Sequence, residues 1–152
     1  MYRLGKCSIV GEVLLLQKIH QRRVQLKTNT LLSTAAIYLT LVGLGFLLAP
    51  GVMVFGALGG TPAIIVAELR QHGGSLLGIA TLNWVARNAE ASTARNGVFL
   101  GNTVGFALVT IGGVLRQLSG AIAIGWLFVV INALFAIAFF MVGRANMSDR
   151  AS

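Results

Sequence analysis

Glu68, Arg70 and His72 fall in the run Glu68-Leu69-Arg70-Gln71-His72-Gly73-Gly74, inside an otherwise apolar stretch of the chain. Glu68 and His72 are four residues apart, so on a helix they share a face. A carboxylate beside an imidazole can bind a small polar ligand or pass a proton, and imidazole is the side chain that changes charge near neutrality. Three chemistries fit the run. In the first, Glu68 and His72 handle a proton or a ligand. In the second, Glu68 and Arg70 lock the adjacent loop while His72 bonds across to a neighbouring helix. In the third, they hold a metal, which would need further ligands. No other His, Cys or acid lies within an apolar segment, and His20 is too far out for a bis-histidine haem. No metal is expected, and no cofactor is named.

A second polar set comprises Tyr38, Asn83, Asn102 and Asn132, with Thr40 beside Tyr38. Amides at matching depths hold helices in register, at roughly 0.6–1 kcal/mol each. Asn83 and Asn102 lie at similar depth from one end of their segments; Tyr38 is deeper and Asn132 is near the middle. A transport path would need a continuous polar line, which these residues do not make. No nucleophile–base pair, phosphate-cradling glycine loop or carboxylate pair is present, so an enzyme is not expected. Aromatic residues interleaved with basic ones are also absent, and nucleic acid is not an expected partner.

The segments that carry these residues decide the setting. Of 152 residues, 56% are hydrophobic and 11% charged, against about 25% charged in an ordinary soluble domain. Mean hydropathy is +0.82. One cysteine, Cys7, permits no internal disulfide. A spanning helix needs roughly 20 apolar residues, and four segments qualify. The first covers about residues 31–48 and stops at Ala49-Pro50, since proline cannot continue the hydrogen-bond ladder. The second covers about 62–86, with Thr61 as N-cap and Pro62 at the first helical position. The third covers about 97–115 and the fourth about 120–143, ending before Arg116 and Arg144. No segment alternates like a barrel strand. The expected fold is an all-α integral membrane bundle of four transmembrane helices, with the membrane domain at residues 30–144.

The chain has 12 Lys and Arg against 4 Asp and Glu. With both termini cytoplasmic, ten basic residues lie inside and only Arg116 outside, Arg70 being within the second span. The positive-inside rule selects that topology. It puts Glu68, Arg70 and His72 at or just below the outer surface, with Arg70 able to snorkel to the headgroups. Trp84 and Trp126 then fall near the inner and outer surfaces, as interfacial anchors or lipid-facing side chains. The first span is longer than a signal-peptide core, and no Ala-x-Ala site follows it.

Residues 1–29 form a basic amino-terminal stretch, and 145–152 a short carboxy-terminal tail, both cytoplasmic. Val13, Leu14, Leu15 and Leu16 are consecutive, and Lys18, Arg22 and Arg23 do not gather opposite them. That is a poor pattern for a helix lying in the interface, so a tail is expected. Leu26-Lys27-Thr28-Asn29-Thr30 also has the look of a natural start, which would make residues 1–25 an extension.

Without a hydrophobic drive between helices in lipid, small residues must let backbones approach. Gly97, Gly101 and Gly105 recur every four residues on the third span, and Gly74 and Gly78 on the second. Ser33, Ala36, Thr40 and Gly43 line the first span, and Ala121 and Gly125 the fourth. These faces are expected to pack against other helices of the bundle, or against a second copy.

The apolar first span ending in proline and the uncharged loop after it form one part of a wider pattern. The other parts are Glu68-Leu69-Arg70-x-x-Gly73-Gly74-x-Leu76-Leu77-Gly78, Trp84-x-Ala86-Arg87 and Gly101-Asn102. Over about residues 30–142, the pattern resembles small four-helix bacterial membrane proteins of the DoxX-like group. The resemblance implies a cell (inner) membrane protein, multi-pass, with relatives linked to oxidoreductase or quinol-oxidising complexes. Two functions remain open. One is an accessory or structural subunit of a membrane complex, partnered by lipid, other subunits or a second copy. The other is a small-ligand, quinone or proton-handling protein using Glu68, Arg70 and His72.

Overall fold

The computed structural model describes residues 4–53, 63–90, 92–119 and 125–148. They form five helices: α1 (Leu4–Leu48), α2 (Pro50–Met53), α3 (Ala63–Ala86), α4 (Thr93–Leu118) and α5 (Gly125–Ser148). The described residues contain no strand, so the fold is all-α. Three helices are long and apolar enough to cross a membrane: α1 over Leu15–Leu48, α4, and α5 over Gly125–Asn146. α3 has the length, at 24 residues. The polar run from Glu68 to His72 dilutes its hydropathy.

The helix ends have local causes. α1 stops at Leu48, and Pro50 opens α2, where its missing N–H is no loss. α2 turns back so that Met53 lies against Gly45. α3 gives way to a turn at Arg87-Asn88. α4 begins four residues before the expected Gly97, because Ser92 caps it: the Ser92 Oγ accepts the Arg95 N–H at 3.1 Å. Arg95 and Asn96 interrupt the apolar run but not the helix. The expected starts at Thr61-Pro62 and Gly120 lie outside the described residues, as do Arg3, Ala121 and Arg150.

Residues 4–29 are not a separate tail in structure: α1 runs through them into the first span without a break. Residues 12–42 contain neither glycine nor proline. A helix nucleated in the apolar segment therefore propagates outward through Leu, Gln, Lys and Arg, all good helix formers. The poor amphipathic pattern excludes only a helix lying on a surface; it does not exclude one continuing a span.

α1 packs along α3 and α4 along α5; α1 also meets α5, while α3 and α4 barely touch. The α1–α3 crossing is a backbone contact. A Cβ on Gly73 would lie 2.6 Å from the Gly43 carbonyl oxygen and 2.9 Å from the Leu47 nitrogen. In the α4–α5 pair a Cβ on Gly113 would lie 2.8 Å from a Val129 methyl, and one on Gly143 would lie 3.2 Å from Phe99. The buried core joins both pairs: Leu32, Ala35 and Leu39 of α1, Ala80 and Ala86 of α3, Phe99 and Phe106 of α4, and Phe139 of α5. Phe106 stacks on Phe135 and Phe139 at centroid distances of 4.9 and 5.7 Å. Leu108, Leu118, Leu134, Phe140 and Met141 face outward.

Within the chain, five of the expected glycines meet no helix, so of the two expected packings only that against a second copy stays open to them. Gly74, Gly78, Gly97, Gly101 and Gly105 face open space, with nothing within 4 Å of where a Cβ would stand. The reason is azimuth. α4 turns Arg95, Phe99, Asn102 and Phe106 inward, and its glycine stripe lies roughly 130° around the helix from that face. On α3, Gly73 faces α1, and Gly74 is about 100° further round.

Gly73→Ala should therefore destabilise the protein in detergent by roughly 1–3 kcal/mol, the usual cost of overpacking. Gly74→Ala should be neutral or stabilising, since alanine is the better helix former. Thermal unfolding of the two variants checks this, and equal losses would contradict the crossing.

Candidate functional site

The loose contact between α3 and α4 leaves a groove of about 760 Å³. One wall is α3, through His72, Leu76, Ile79 and Asn83; the other is α4, through Gly97, Gly101, Gly105, Val109 and Gly112. Tyr38, Val42 and Phe46 of α1 and Phe128, Val129 and Asn132 of α5 close its floor. The open glycine stripe is thus one wall of the groove. Lacking side chains there, α4 makes room that Leu or Val would fill.

Polar bridges cross the groove floor at two places. Asn83 Nδ2 donates to Asn102 Oδ1 at 3.0 Å, and Asn102 Nδ2 donates to Asn83 Oδ1 at 2.7 Å. This reciprocal pair ties α3 to α4, with both amides buried. Asn132 Nδ2 donates to the Tyr38 hydroxyl at 3.2 Å and so ties α5 to α1. Matched depth along the helices brings both pairs together. Tyr38 also rests on Phe135, at a centroid distance of 5.2 Å.

Glu68, Arg70 and His72 are all exposed. No hydrogen bond or ion pair joins them to one another among the described residues. His72 alone of the three lines the groove, near one end. Arg116 and Gln117 of α4 line the groove towards the same end. Gln117 is 9% exposed and packs against Gly125, and its Oε1 is buried without a hydrogen-bond partner among the described residues. Among the described residues, no group of three or more His, Cys, Asp or Glu could hold a metal.

A polar knot at the other end of the bundle has no counterpart in the sequence reading. Arg95 is buried. Its Nη1 donates to Gln25 Oε1 at 2.9 Å and to the Ala89 carbonyl at 2.8 Å, and its Nη2 donates to Asn146 Oδ1 at 3.1 Å. Asn146 Nδ2 donates in turn to the fully buried Thr28 at 3.2 Å. With its nitrogen turned toward the backbone, the Asn29 amide donates to the Arg87 carbonyl. The Arg87 guanidinium lies 3.2 Å from the Trp84 ring centroid, a cation–π contact. Gln25, Thr28 and Asn29 of α1 therefore belong to the bundle, although the sequence reading assigns them to the tail and the possible extension. Arg95 registers in sequence only as a topology charge. The signal pointing further was its place in the first turn after a serine cap.

Compared with family models, curated proteins and solved structures, the chain matches none.

The reciprocal amide pair should show energetic coupling. In a cycle of Asn83→Ala, Asn102→Ala and the double variant, unfolding in detergent should give an interaction energy of about 0.6–1.7 kcal/mol, the range for hydrogen bonds in membrane bundles. Strict additivity would mean that the amides do not bond in solution.

Proposed function

We propose that this chain is a multi-pass membrane protein of four spans, α1, α3, α4 and α5, with both termini cytoplasmic. In this reading it works without catalytic machinery, by holding an apolar guest in the groove between α3 and α4. The observation that carries the reading is the edge of Gly97, Gly101 and Gly105, which faces open space along a groove of about 760 Å³. Side chains within the bundle could have filled that space, and apolar interiors normally are filled.

The four-span topology draws on the ten-to-one asymmetry of basic residues. α3 completes the bundle by packing along α1, and its polar run falls near one end, where headgroups and water can meet it. A bacterial inner membrane agrees with that asymmetry and with the likeness to the DoxX-like group, which rests on the motif residues alone.

A second reading is favoured by the same edge. Three glycines at four-residue spacing make a face on which a partner's helix can sit closely. The chain would then be an accessory subunit of a membrane complex, or would pair with a second copy. Glu68 and Arg70 would lie outside the guest site in either case, and His72 at its edge.

Two experiments test these readings. On a Cys7→Ser background, cysteine at Ala57 should react with an impermeant reagent in intact cells, and cysteine at Glu90 should not; the reverse pattern would invert the topology. Gly101→Leu should leave thermal stability nearly unchanged, because the space where its Cβ would stand is open to the groove. It should remove any lipid-like molecule that native mass spectrometry finds on the purified protein. A guest that survives Gly101→Leu sits elsewhere, and loss of a stoichiometric partner chain instead would select the second reading.

A further inference from the structure

The two ends of the groove differ. Towards Ala94 and Gly97 the α4 wall is small and uncharged. The other end carries Arg116 and Gln117 on α4 and His72 on α3. Arg116 is exposed and makes no ion pair with any described residue. Glu68, the acid nearest His72 in sequence, does not line the groove. The groove lining at this end therefore carries a cation and an imidazole and, among the described residues, no acid. Beside them, the buried Gln117 Oε1 meets no donor among the described residues. Buried polar atoms are almost always satisfied, so an orphan at a groove wall marks the place of a missing partner.

Between the two ends the lining is Leu76, Ile79, Val109 and the glycines Gly101 and Gly105. Along α4, Gly97 and Arg116 are separated by about 28 Å, close to the thickness of a bilayer's hydrocarbon core. An occupant that fits both parts is long and apolar, with an anionic head that also offers a hydrogen-bond donor.

We propose that the Arg116 end of the groove seats the headgroup of an anionic phospholipid, whose acyl chain lies along the glycine edge of α4. Its phosphodiester oxygens accept from the Arg116 guanidinium, and a headgroup hydroxyl donates to Gln117 Oε1. His72 flanks the head from α3. The groove opens sideways between two helices, so a lipid enters from the bilayer without crossing water. This inference rests on the reading of the groove as a guest site and adds the identity of the guest.

The test uses the full chain in detergent with phosphatidylglycerol or phosphatidylcholine of the same acyl chains, and reads lipid retention by native mass spectrometry. Phosphatidylglycerol should be retained in preference by about fivefold, the effect of one basic residue at a lipid surface. Arg116→Gln should abolish that preference while one lipid still binds, and Arg116→Lys should keep part of it. Gln117→Leu should weaken phosphatidylglycerol retention without lowering thermal stability. Gly105→Leu should expel both lipids. Equal retention of the two lipids by the unsubstituted protein, or a preference that survives Arg116→Gln, would overturn the headgroup proposal and leave the guest groove standing. Retention of both lipids by Gly105→Leu would overturn the groove reading itself. Palmitate outcompeting phosphatidylglycerol would replace the phospholipid with a free fatty acid and overturn the proposal as stated.

Discussion

Asn83 and Asn102 bridge two helices that apolar packing leaves nearly apart. α1 is locked to α3 through the backbones at Gly43 and Gly73, and α4 to α5 through Gly113 and Gly143. Each lock is short-range and holds only its own pair. Phe99, Phe106 and Phe139 then fill the centre without pulling α3 onto α4. In an apolar surround, an amide that loses its partner finds no replacement nearby. The reciprocal pair therefore sets how close α3 and α4 stand, and the groove follows from that spacing. Tyr38 and Asn132 do the same work between α1 and α5.

The Arg95 knot anchors one end of this arrangement. A buried guanidinium is tolerated where its donors are met by oriented acceptors. Here Gln25, the Ala89 carbonyl and Asn146 supply acceptors for the two terminal nitrogens from three parts of the chain. Such a centre fixes the relative heights of α1, α4 and α5, since a shift of one turn would break several bonds together. The Arg116 end has no such knot among the described residues. Among the described residues, one end of the bundle is thus braced by a polar knot and the other is not.

Much of this could be read from sequence, for definable reasons. Pro50, Arg87-Asn88 and Arg116 stop apolar runs, and helix ends lie within two residues of them. Depth could also be read, because every residue adds the same rise; Asn83 meets Asn102 on that arithmetic. Azimuth could not. A four-residue glycine repeat looks the same whether it faces a helix or a void, and only the positions of Phe99, Asn102 and Phe106 reveal which way α4 is turned. Gly43 stands on the stripe read from the first span, but its partner is Gly73 and not Gly74. Arg95, Gln25 and Asn146 are each unremarkable alone as polar residues and gain meaning only when three distant segments meet. Glu68, Arg70 and His72 drew attention by their proximity in sequence, yet exposed side chains near a helix end need no partner.

The unbroken run of α1 has a consequence for the charges it carries. Forty-five residues of helix measure about 68 Å, more than twice the hydrocarbon thickness. The excess stands out as a mast, on which charge is graded by height. Taking Lys27 at the foot, Arg23 and Arg22 sit about 6 and 7.5 Å higher and Lys18 about 13.5 Å higher. A membrane's surface field fades over about 8 Å at physiological salt. The lower three cations stand within reach of acidic headgroups, and Lys18 stands beyond them. A flexible tail could fold these four down onto the lipid, whereas the mast holds Lys18 clear, presented to the aqueous phase.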